Sequence, residues 1–195
     1  VLYEMSCGSH VFFLSRLPSP KIIMQALAEV KPTLVIAVPL IIEKIYKSKV
    51  KPVIEKAGMR FAMRLPGLEQ VIMNKIKTEL VNAFGGEFIE VIIGGAAFNK
   101  EVEAFFKKME FPFTVGYGMT ECAPIITYDG HETAKLYSCG RIVPNMEMKI
   151  DSPDPQNIPG ELLVRGANVF LGYYKNEEAT KEVLHEDGWF HTGDM

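Results

Sequence analysis

The segment FIEVIIGGAAFNKEVEAFFKKMEFPFTVGYGMTE, residues 88–121, contains the alternation of apolar and amphipathic stretches that decides the fold. An apolar run at residues 88–93 is followed by a helical pattern that begins after Asn99, and a second apolar run follows at residues 111–115. Asn99 suits a helix N-cap, and the acidic residues that come first and the basic residues that come last favour the helix dipole. The segment therefore predicts a strand–helix–strand unit of a parallel sheet.

Two loops of small residues follow the two predicted strands. Gly94-Gly95-Ala96 comes after the first strand, and Gly116-Tyr117-Gly118-Met119-Thr120-Glu121 comes after the second. Open α/β sheets bind ligands at the carboxyl ends of their strands, so we expect both loops to line one cleft. Glycines let a flat base approach the backbone, and the Tyr117 ring offers a stacking face. Thr120 and Glu121 place a hydroxyl beside a carboxylate, which suits a metal-nucleotide, although either loop alone also fits an ordinary turn.

The residues before this segment continue the alternation of strands and helices. They predict a strand at residues 11–14, a helix from Ser19-Pro20 to Pro32, a buried strand at residues 34–38 and a helix opened by Pro39. A repeat of Leu68, Ile72, Ile76 and Leu80 predicts an amphipathic helix over residues 67–84, ended by Gly85-Gly86. We expect its apolar stripe to be core. The alternative is a helix on a membrane surface, for which Lys75 and Lys77 make a poor basic face.

The chain changes character after Ala123, where short β-rich stretches replace the long helices. The predicted strands lie at residues 125–128, 146–150, 160–164 and 169–174. Turn residues separate them, without long helices between. This pattern favours an antiparallel or barrel-like subdomain.

The composition is that of a globular protein, since 195 residues of which 48% are hydrophobic can bury a core. A net charge of −3 provides no broad basic field, which argues against nucleic-acid binding. Three scattered cysteines fit neither a disulfide framework nor a zinc site, so we expect a reducing, cytoplasmic compartment. The most apolar window, residues 34–42, is too short for a transmembrane helix and contains Pro39, so any membrane contact is expected to be peripheral.

Three motifs stand in order along the chain: Tyr117-Gly118-Met119-Thr120-Glu121, then residues 160–180 with Gly160-Glu161-Leu162 and Gly172-Tyr173-Tyr174, then Trp189-Phe190-His191-Thr192-Gly193-Asp194. They match the patterns Y-G-x-T-E, G-E-L-x-(V/I)-x-G…G-Y-Y…T and W-x-x-T-G-D. Together they resemble the adenylate-forming (AMP-binding) superfamily, and within it the long-chain fatty acyl-CoA synthetases. Several ordered motifs at compatible spacings are far more specific than any one of them alone.

The resemblance implies an α/β fold, with flavodoxin-like parallel-sheet layers followed by a β-rich, barrel-like subdomain. We expect part of the adenylate-binding α/β subdomain in residues 1–123 and part of the β-rich subdomain in residues 124–195. The chain starts at Val1 without a methionine and ends directly after a motif, so we expect an excised segment. The phosphate loop, the hinge and the carboxy-terminal lysine of the family have no counterpart here. We therefore expect the isolated chain to lack ligase activity and to bind nucleotide weakly at best.

The activity implied by the resemblance is that of an AMP-forming acid–thiol ligase. A fatty acid attacks the α-phosphate of ATP to give acyl-AMP and pyrophosphate, and coenzyme A (CoA) then displaces AMP. The resemblance implies that Glu121 binds Mg²⁺ and that Thr120 donates to a phosphate oxygen, so these two are the expected catalytic residues. It also implies that Asp194 binds the ribose hydroxyls. The implied nucleotide-binding residues are Gly94, Gly95, Ala96, Gly116, Tyr117, Gly118, Met119, Thr120 and Asp194. Glu161 and Trp189 are expected to be structural.

Some residues and functions remain as alternatives. Cys122 has no histidine beside it in sequence, so we expect a buried small residue rather than a nucleophile. The histidines show no metal-ligand spacing, and we expect His191 to be a surface or strand-pairing residue. The alternative functions are another adenylate-forming enzyme, such as an acyl-AMP ligase or an aryl-CoA ligase, and a non-catalytic nucleotide-binding module. The run at residues 63–84 resembles the long-chain class, but it does not give the acyl chain length.

Overall fold

The computed structural model describes residues 2–15, 19–65 and 67–195. The chain divides into two compact units. The first comprises Val1–Ile92 and Phe98–Phe113, and the second comprises Ile93–Ala97 and Thr114–Met195. Val1, which contributes to the prediction of an excised segment, lies outside the described residues. The domain boundary between residues 123 and 124 stays a prediction.

Helices make up most of the first unit. They are α1 (Leu2–Ser6), α2 (Pro20–Val30), α3 (Pro39–Ile45), α4 (Lys51–Ile54), α5 (Ala57–Ala62), α6 (Leu68–Ala83) and α7 (Lys100–Lys108), with a π-helical turn at Tyr46–Val50 between α3 and α4. Strands β1 (Leu34–Ala37), β2 (Glu90–Ile93) and β3 (Phe113–Val115) form a parallel sheet in which β2 is central. The predicted strand–helix–strand unit is therefore confirmed as β2, α7 and β3.

The helix caps follow the sequence signals. The Ser19 side chain accepts a hydrogen bond from the Ile22 amide at 3.3 Å, and Pro20 opens α2. The Asn99 side chain accepts from the amides of Glu101 and Val102 at 3.0 and 3.1 Å, so it caps α7 as predicted. Such caps satisfy amides that have no partner inside the helix, which fixes where each helix begins.

Helix α6 forms as predicted, but its buried face differs from the predicted stripe. The buried residues are Met73, Ile76 and Leu80, whereas Leu68 is exposed. A strict four-residue repeat drifts around a helix of 3.6 residues per turn, so its first member rotates away from the face that the later members share. The buried face is core, and every helix among the described residues is too short or too polar to span a bilayer.

Two predictions for the first unit are wrong. Residues 11–14 were expected to form a strand, yet their backbone is irregular, and Phe12 and Phe13 are 65% and 73% exposed. A strand needs a neighbour to complete its hydrogen-bond ladder, and no described strand pairs with this segment. Strand β1 forms where it was expected, but it is not buried: Leu34 and Ile36 share one face of the strand, and both are exposed because that face is incompletely covered.

The regular secondary structure of the second unit consists mainly of short strands. The strands are β4 (Tyr117–Gly118), β5 (Ile125–Tyr128), β6 (Arg141–Ile142), β7 (Met146–Asp151), β8 (Glu161–Gly166) and β9 (Phe190–His191). They form two antiparallel sheets, in the orders β4-β5-β6 and β7-β8-β9. Asn176 caps the short helix α8 (Glu177–Val183) by accepting from the Ala179 amide at 3.1 Å.

The barrel-like prediction for the second unit is not supported. Each of the two sheets has three strands and two open edges among the described residues, so neither sheet closes on itself. Residues 169–174, predicted as a strand, are irregular because the chain folds back toward α8: the Tyr173 amide donates to the Thr180 hydroxyl at 2.9 Å. Gly172 has a φ of +137°, which a strand residue with a side chain does not adopt.

The core of the second unit joins its two sheets and the turn between β4 and β5. Its buried members are Cys122, Ile126, Met146, Val164 and Phe190. They come from that turn and from β5, β7, β8 and β9. One hydrophobic cluster thus fixes both sheets and the turn that carries Glu121.

Candidate functional site

The two predicted loops of small residues are adjacent, and both lie in the second unit. The Gly116 amide donates to the carbonyl of Ile93 at 2.9 Å, and a Cβ on Gly94 would lie 3.3 Å from the Gly116 oxygen. Gly95 has a φ of +86°, in the left-handed region that favours glycine. The structure therefore places Gly94-Gly95-Ala96 beside the start of the second loop.

Gly118 is the tightest position of the second loop. The Met119 amide donates to the carbonyl of Pro124 at 2.8 Å, and a Cβ on Gly118 would lie only 2.1 Å from the same oxygen. The chain therefore doubles back closely here, and β4 pairs with β5. A 3-10 turn at Thr120–Cys122 follows, with Thr120 exposed and Glu121 half-buried.

Tyr117 and Asp194 are joined by a hydrogen bond, although they lie 77 residues apart in sequence. The Tyr117 hydroxyl donates to Oδ2 of Asp194 at 2.6 Å. Burial, and then this bond, raises the pKa of Tyr117 to about 12, so the tyrosine stays a neutral donor at physiological pH. The predicted stacking residue and the predicted ribose ligand are thus brought together.

Strand β8 holds the turn that carries Asp194. The Leu162 amide donates to the Asp194 carbonyl at 2.8 Å, and the Thr192 hydroxyl donates to the Leu162 carbonyl at 2.7 Å. Between them, Gly193 takes a φ of +74°, which lets the chain turn. The Asp194 side chain stays exposed and available to a ligand.

The Glu161 carboxylate lies against the same turn and uses both of its oxygens there. Oε2 lies 2.9 Å from Nδ1 of His191, and Oε1 accepts from the Gly193 amide at 2.9 Å. The His191 bond, and then the Gly193 bond, lowers the pKa of Glu161 below its usual range, so this carboxylate is ionised at neutral pH. The ring of His185 lies 4.2 Å from that of His191, centroid to centroid.

Tyr173 contacts Glu121, a contact that the sequence analysis did not foresee. Its hydroxyl donates to Oε1 of Glu121 at 3.0 Å, and this bond raises the pKa of Tyr173. The same loop supports the turn in two further ways: the Phe170 amide donates to the Glu121 carbonyl at 2.7 Å, and the Asn168 side chain donates to the Cys122 carbonyl at 2.7 Å. The G-Y-Y motif signalled that this loop mattered, but no spacing rule links it to Glu121.

Two other residues behave as the sequence predicted. Cys122 is fully buried, and burial followed by the charge of Glu121 raises its pKa to about 11, which keeps it a thiol and makes it a poor nucleophile. The Trp189 ring packs against two cations, with Lys149 Nζ 4.2 Å and Arg165 Cζ 4.8 Å from the ring centroid. Within the described part of the chain, no group of three or more His, Cys, Asp or Glu side chains could hold a metal.

A family model described as AMP-binding enzyme matches residues 1–174 of this chain. The chain belongs to the AMP-binding enzyme family. Relatives of this chain carry the names of two kinds of CoA ligase, which differ in the acid that they name. Family membership therefore does not choose between a fatty and an aromatic acid.

Two curated relatives represent the two classes. Long chain acyl-CoA synthetase 4 of Arabidopsis thaliana is 30% identical over 90% of this chain, and 4-coumarate-CoA ligase 1 of Narcissus pseudonarcissus is 35% identical over 67% of it. The aligned part is 30% of the first relative and 26% of the second, so this chain spans less than a third of either.

A solved structure confirms the fold of this chain. O-succinylbenzoate coenzyme A synthetase of Bacillus subtilis, solved with its acyl-adenylate intermediate, superposes with a TM-score of 0.70. The match covers 98% of this chain and 34% of that one at 21% identity. At that identity the likeness establishes the adenylate-forming fold and leaves the substrate open.

Proposed function

We propose that this chain supplies the nucleotide-binding part of a ligase that activates a long-chain fatty acid with ATP and transfers it to CoA. The observation that carries the proposal is the hydrogen bond between Tyr117 and Asp194. It places an aromatic ring, which can stack on a base, beside a carboxylate, which can accept from both ribose hydroxyls. A nucleoside can use both groups at once, and the small residues at Gly94-Gly95-Ala96 leave room for its base.

The reaction begins when a carboxylate oxygen of the acid bonds to the α-phosphorus of ATP and pyrophosphate leaves. The CoA sulfur then bonds to the acyl carbon, and AMP leaves. In this proposal the Thr120 hydroxyl donates to a phosphate oxygen, and Glu121 binds Mg²⁺ together with phosphate oxygens, an arrangement that this ion favours. The metal, when bound, neutralises charge that develops on the phosphate. Mg²⁺ keeps several waters and binds substrate phosphates, so one or two protein carboxylates suffice for such a site.

The fatty-acid assignment depends on how far the relatives extend along this chain. The long-chain acyl-CoA synthetases align over 89% to 90% of it, whereas the 4-coumarate ligases align over 67% to 80%. The helical stretch at residues 63–84 also resembles the long-chain class. An aryl-CoA ligase is the second candidate, because the 4-coumarate ligases reach 33% to 36% identity over the part that they cover.

The test is product analysis with the complete protein that contains this chain. It is incubated with ATP, Mg²⁺ and CoA, and with either a saturated long-chain fatty acid or 4-coumaric acid, and both the acyl-AMP and the thioester are quantified by mass spectrometry. The proposal expects a fatty acyl thioester and a fatty acyl-AMP. Turnover of 4-coumaric acid alone would favour the aryl ligase, and acyl-AMP without thioester would favour an acyl-AMP ligase.

A Glu121→Ala variant separates catalysis from simple nucleotide binding. Loss of the metal ligand should reduce ATP–pyrophosphate exchange by on the order of a hundredfold, which is a few kcal/mol of transition-state stabilisation. The matched control is Glu132→Ala, an exposed carboxylate of the same unit. A wild-type protein that binds ATP but never exchanges pyrophosphate would instead be a non-catalytic module.

A further inference from the structure

The Glu161 carboxylate does not reach the nucleotide-binding residues itself, yet it binds the backbone that carries one of them. We infer that Glu161 is a positioning residue for ribose recognition, acting through the Gly193 amide on Asp194. This inference rests on the proposed function, because it assigns the ribose to Asp194. It gives the G-E-L motif a role in ligand selectivity in addition to its place in the sheet.

The geometry connects Glu161 to Asp194 in two short steps. Oε1 of Glu161 accepts from the Gly193 amide at 2.9 Å, and the peptide after Gly193 leads directly to Asp194. Oε2 lies 2.9 Å from Nδ1 of His191, the residue before the turn. One carboxylate therefore bonds both sides of the Thr192–Gly193 turn, which fixes where the following residue points.

The register of the sheet explains how Glu161 comes to this position. Side chains alternate along a strand, so Glu161 and Arg165 lie on the same face of β8. Arg165 lies over Trp189 at the start of the W-x-x-T-G-D motif, and Glu161 binds the amide of Gly193 near its end. Strand β8 thus holds the motif at both ends through side chains of one face.

Glu161 adds the bond at the Gly193 amide to two backbone bonds, from the Leu162 amide and to the Thr192 hydroxyl, that already hold Asp194. The Asp194 side chain is exposed, and the Tyr117 hydroxyl is its hydrogen-bond partner in the described structure. Gly193 adopts a positive φ and has the widest conformational freedom of any residue type. With the Gly193 amide released, the backbone at Asp194 gains freedom, and the carboxylate spends less time where two ribose hydroxyls can reach it.

The experiment compares AMP with 2′-deoxy-AMP in the complete protein that contains this chain. Affinities for both nucleotides are measured by calorimetry in the wild type, in Glu161→Ala and in Glu161→Gln. The Ala variant should lose affinity for AMP by up to about tenfold, with a smaller loss for 2′-deoxy-AMP, because the hydrogen bonds from the ribose to the Asp194 carboxylate are weakened. The Gln variant keeps an oxygen that accepts from Gly193, so it should retain most of the discrimination.

The control is Asp151→Ala, which removes an exposed carboxylate from the residue directly opposite Glu161 on β7. It should leave the ratio of the two affinities unchanged. A general loss of stability would weaken the binding of both nucleotides equally, whereas the inference requires a change in the ratio of the two affinities. An unchanged ratio in Glu161→Ala, or an equal drop in Asp151→Ala, would overturn it.

A measurement without ligand completes the test. Amide hydrogen exchange at Gly193 in the complete protein without ligand should be faster in Glu161→Ala and close to wild type in Glu161→Gln, since only the Ala variant leaves the Gly193 amide without its acceptor. Equal exchange rates in all three proteins would also overturn the inference. A wild type that does not distinguish AMP from 2′-deoxy-AMP would refute the ribose assignment itself, and the wild-type data alone would show this.

Discussion

Removing the hydroxyl of Tyr173 tests whether the loop at residues 168–173 orients the proposed metal ligand. In Tyr173→Phe the ring remains, so its edge-on contact with Phe170, at 4.9 Å between centroids, is kept. What disappears is the 3.0 Å hydrogen bond to Oε1 of Glu121. Oε2 of Glu121 can bind a metal while Oε1 accepts from Tyr173, so the hydroxyl and the ion are compatible.

The magnitude follows from the type of bond and from its exposure. A hydrogen bond to a charged group contributes about 1.5–3 kcal/mol. Tyr173 is 37% exposed, so solvent competes for the bond, and we assign the bond a contribution of about 1 kcal/mol. This free energy corresponds to a factor of about 5. We therefore expect the Mg²⁺ concentration for half-maximal ATP–pyrophosphate exchange to rise about fivefold in the complete protein, with the fold unchanged by circular dichroism.

The neighbouring tyrosine provides a matched control. Tyr174 is 88% exposed and lies beside Lys175, so Tyr174→Phe removes the same atom from the same motif without touching Glu121. It should leave the Mg²⁺ dependence at the wild-type value. Tighter Mg²⁺ binding in Tyr173→Phe would mean that the hydroxyl competes with the metal, and equal effects of the two variants would mean that the contact with Glu121 has no role.

Three further predictions concern the ribose ligand, the second loop and its tyrosine. Asp194→Ala should raise the KM for ATP by roughly tenfold through loss of charged hydrogen bonds, with a smaller rise in the KM for 2′-deoxy-ATP. Steady-state kinetics with both nucleotides measure the two KM values. An equal rise for both nucleotides would contradict a ribose contact. Gly118→Ala should destabilise the chain by about 1–3 kcal/mol in chemical denaturation, since the added Cβ would meet the Pro124 oxygen. Gly130→Ala is the control, because a Cβ at Gly130 would have no atom within 4 Å. The pKa of Tyr117 is raised from 10.0 to about 12 in the folded chain, so its contribution to stability is fully present below pH 10 and is lost as the pH rises toward 12. Denaturation at several pH values should show this loss in the wild type and a smaller one in Tyr117→Phe, and parallel curves would argue against the raised pKa.

The parallel-sheet part of the fold was predictable because its signals are local. Asn99 and the ordered charges after it mark the start and direction of α7, and the apolar runs on either side form β2 and β3. Residues 11–14 carry the same kind of apolar run but no pairing partner among the described strands, so composition gave the wrong answer there. Whether an apolar run becomes a strand depends on what lies beside it, and that information is not local.

The site was predictable to a different degree at each residue. The motifs predicted that Tyr117 and Asp194 belong to one site, and the structure brings these two residues into contact. They did not indicate that Tyr173 lies against Glu121 or that Glu161 binds the Gly193 amide, because both contacts arise from backbone that folds back over long sequence separations. The proposed roles of Thr120, Glu121 and Asp194 in binding and catalysis stay predictions.

The packing of Trp189 against Lys149 and Arg165 has a consequence for optical measurements. Trp189 is the only tryptophan of the chain and lies in the second unit, so tryptophan fluorescence follows the unfolding of that unit alone. Far-UV circular dichroism is dominated by helices, and α1 to α7 belong to the first unit. The two signals recorded on one sample therefore follow the two units separately, and coincident transitions would show that they unfold as one cooperative body.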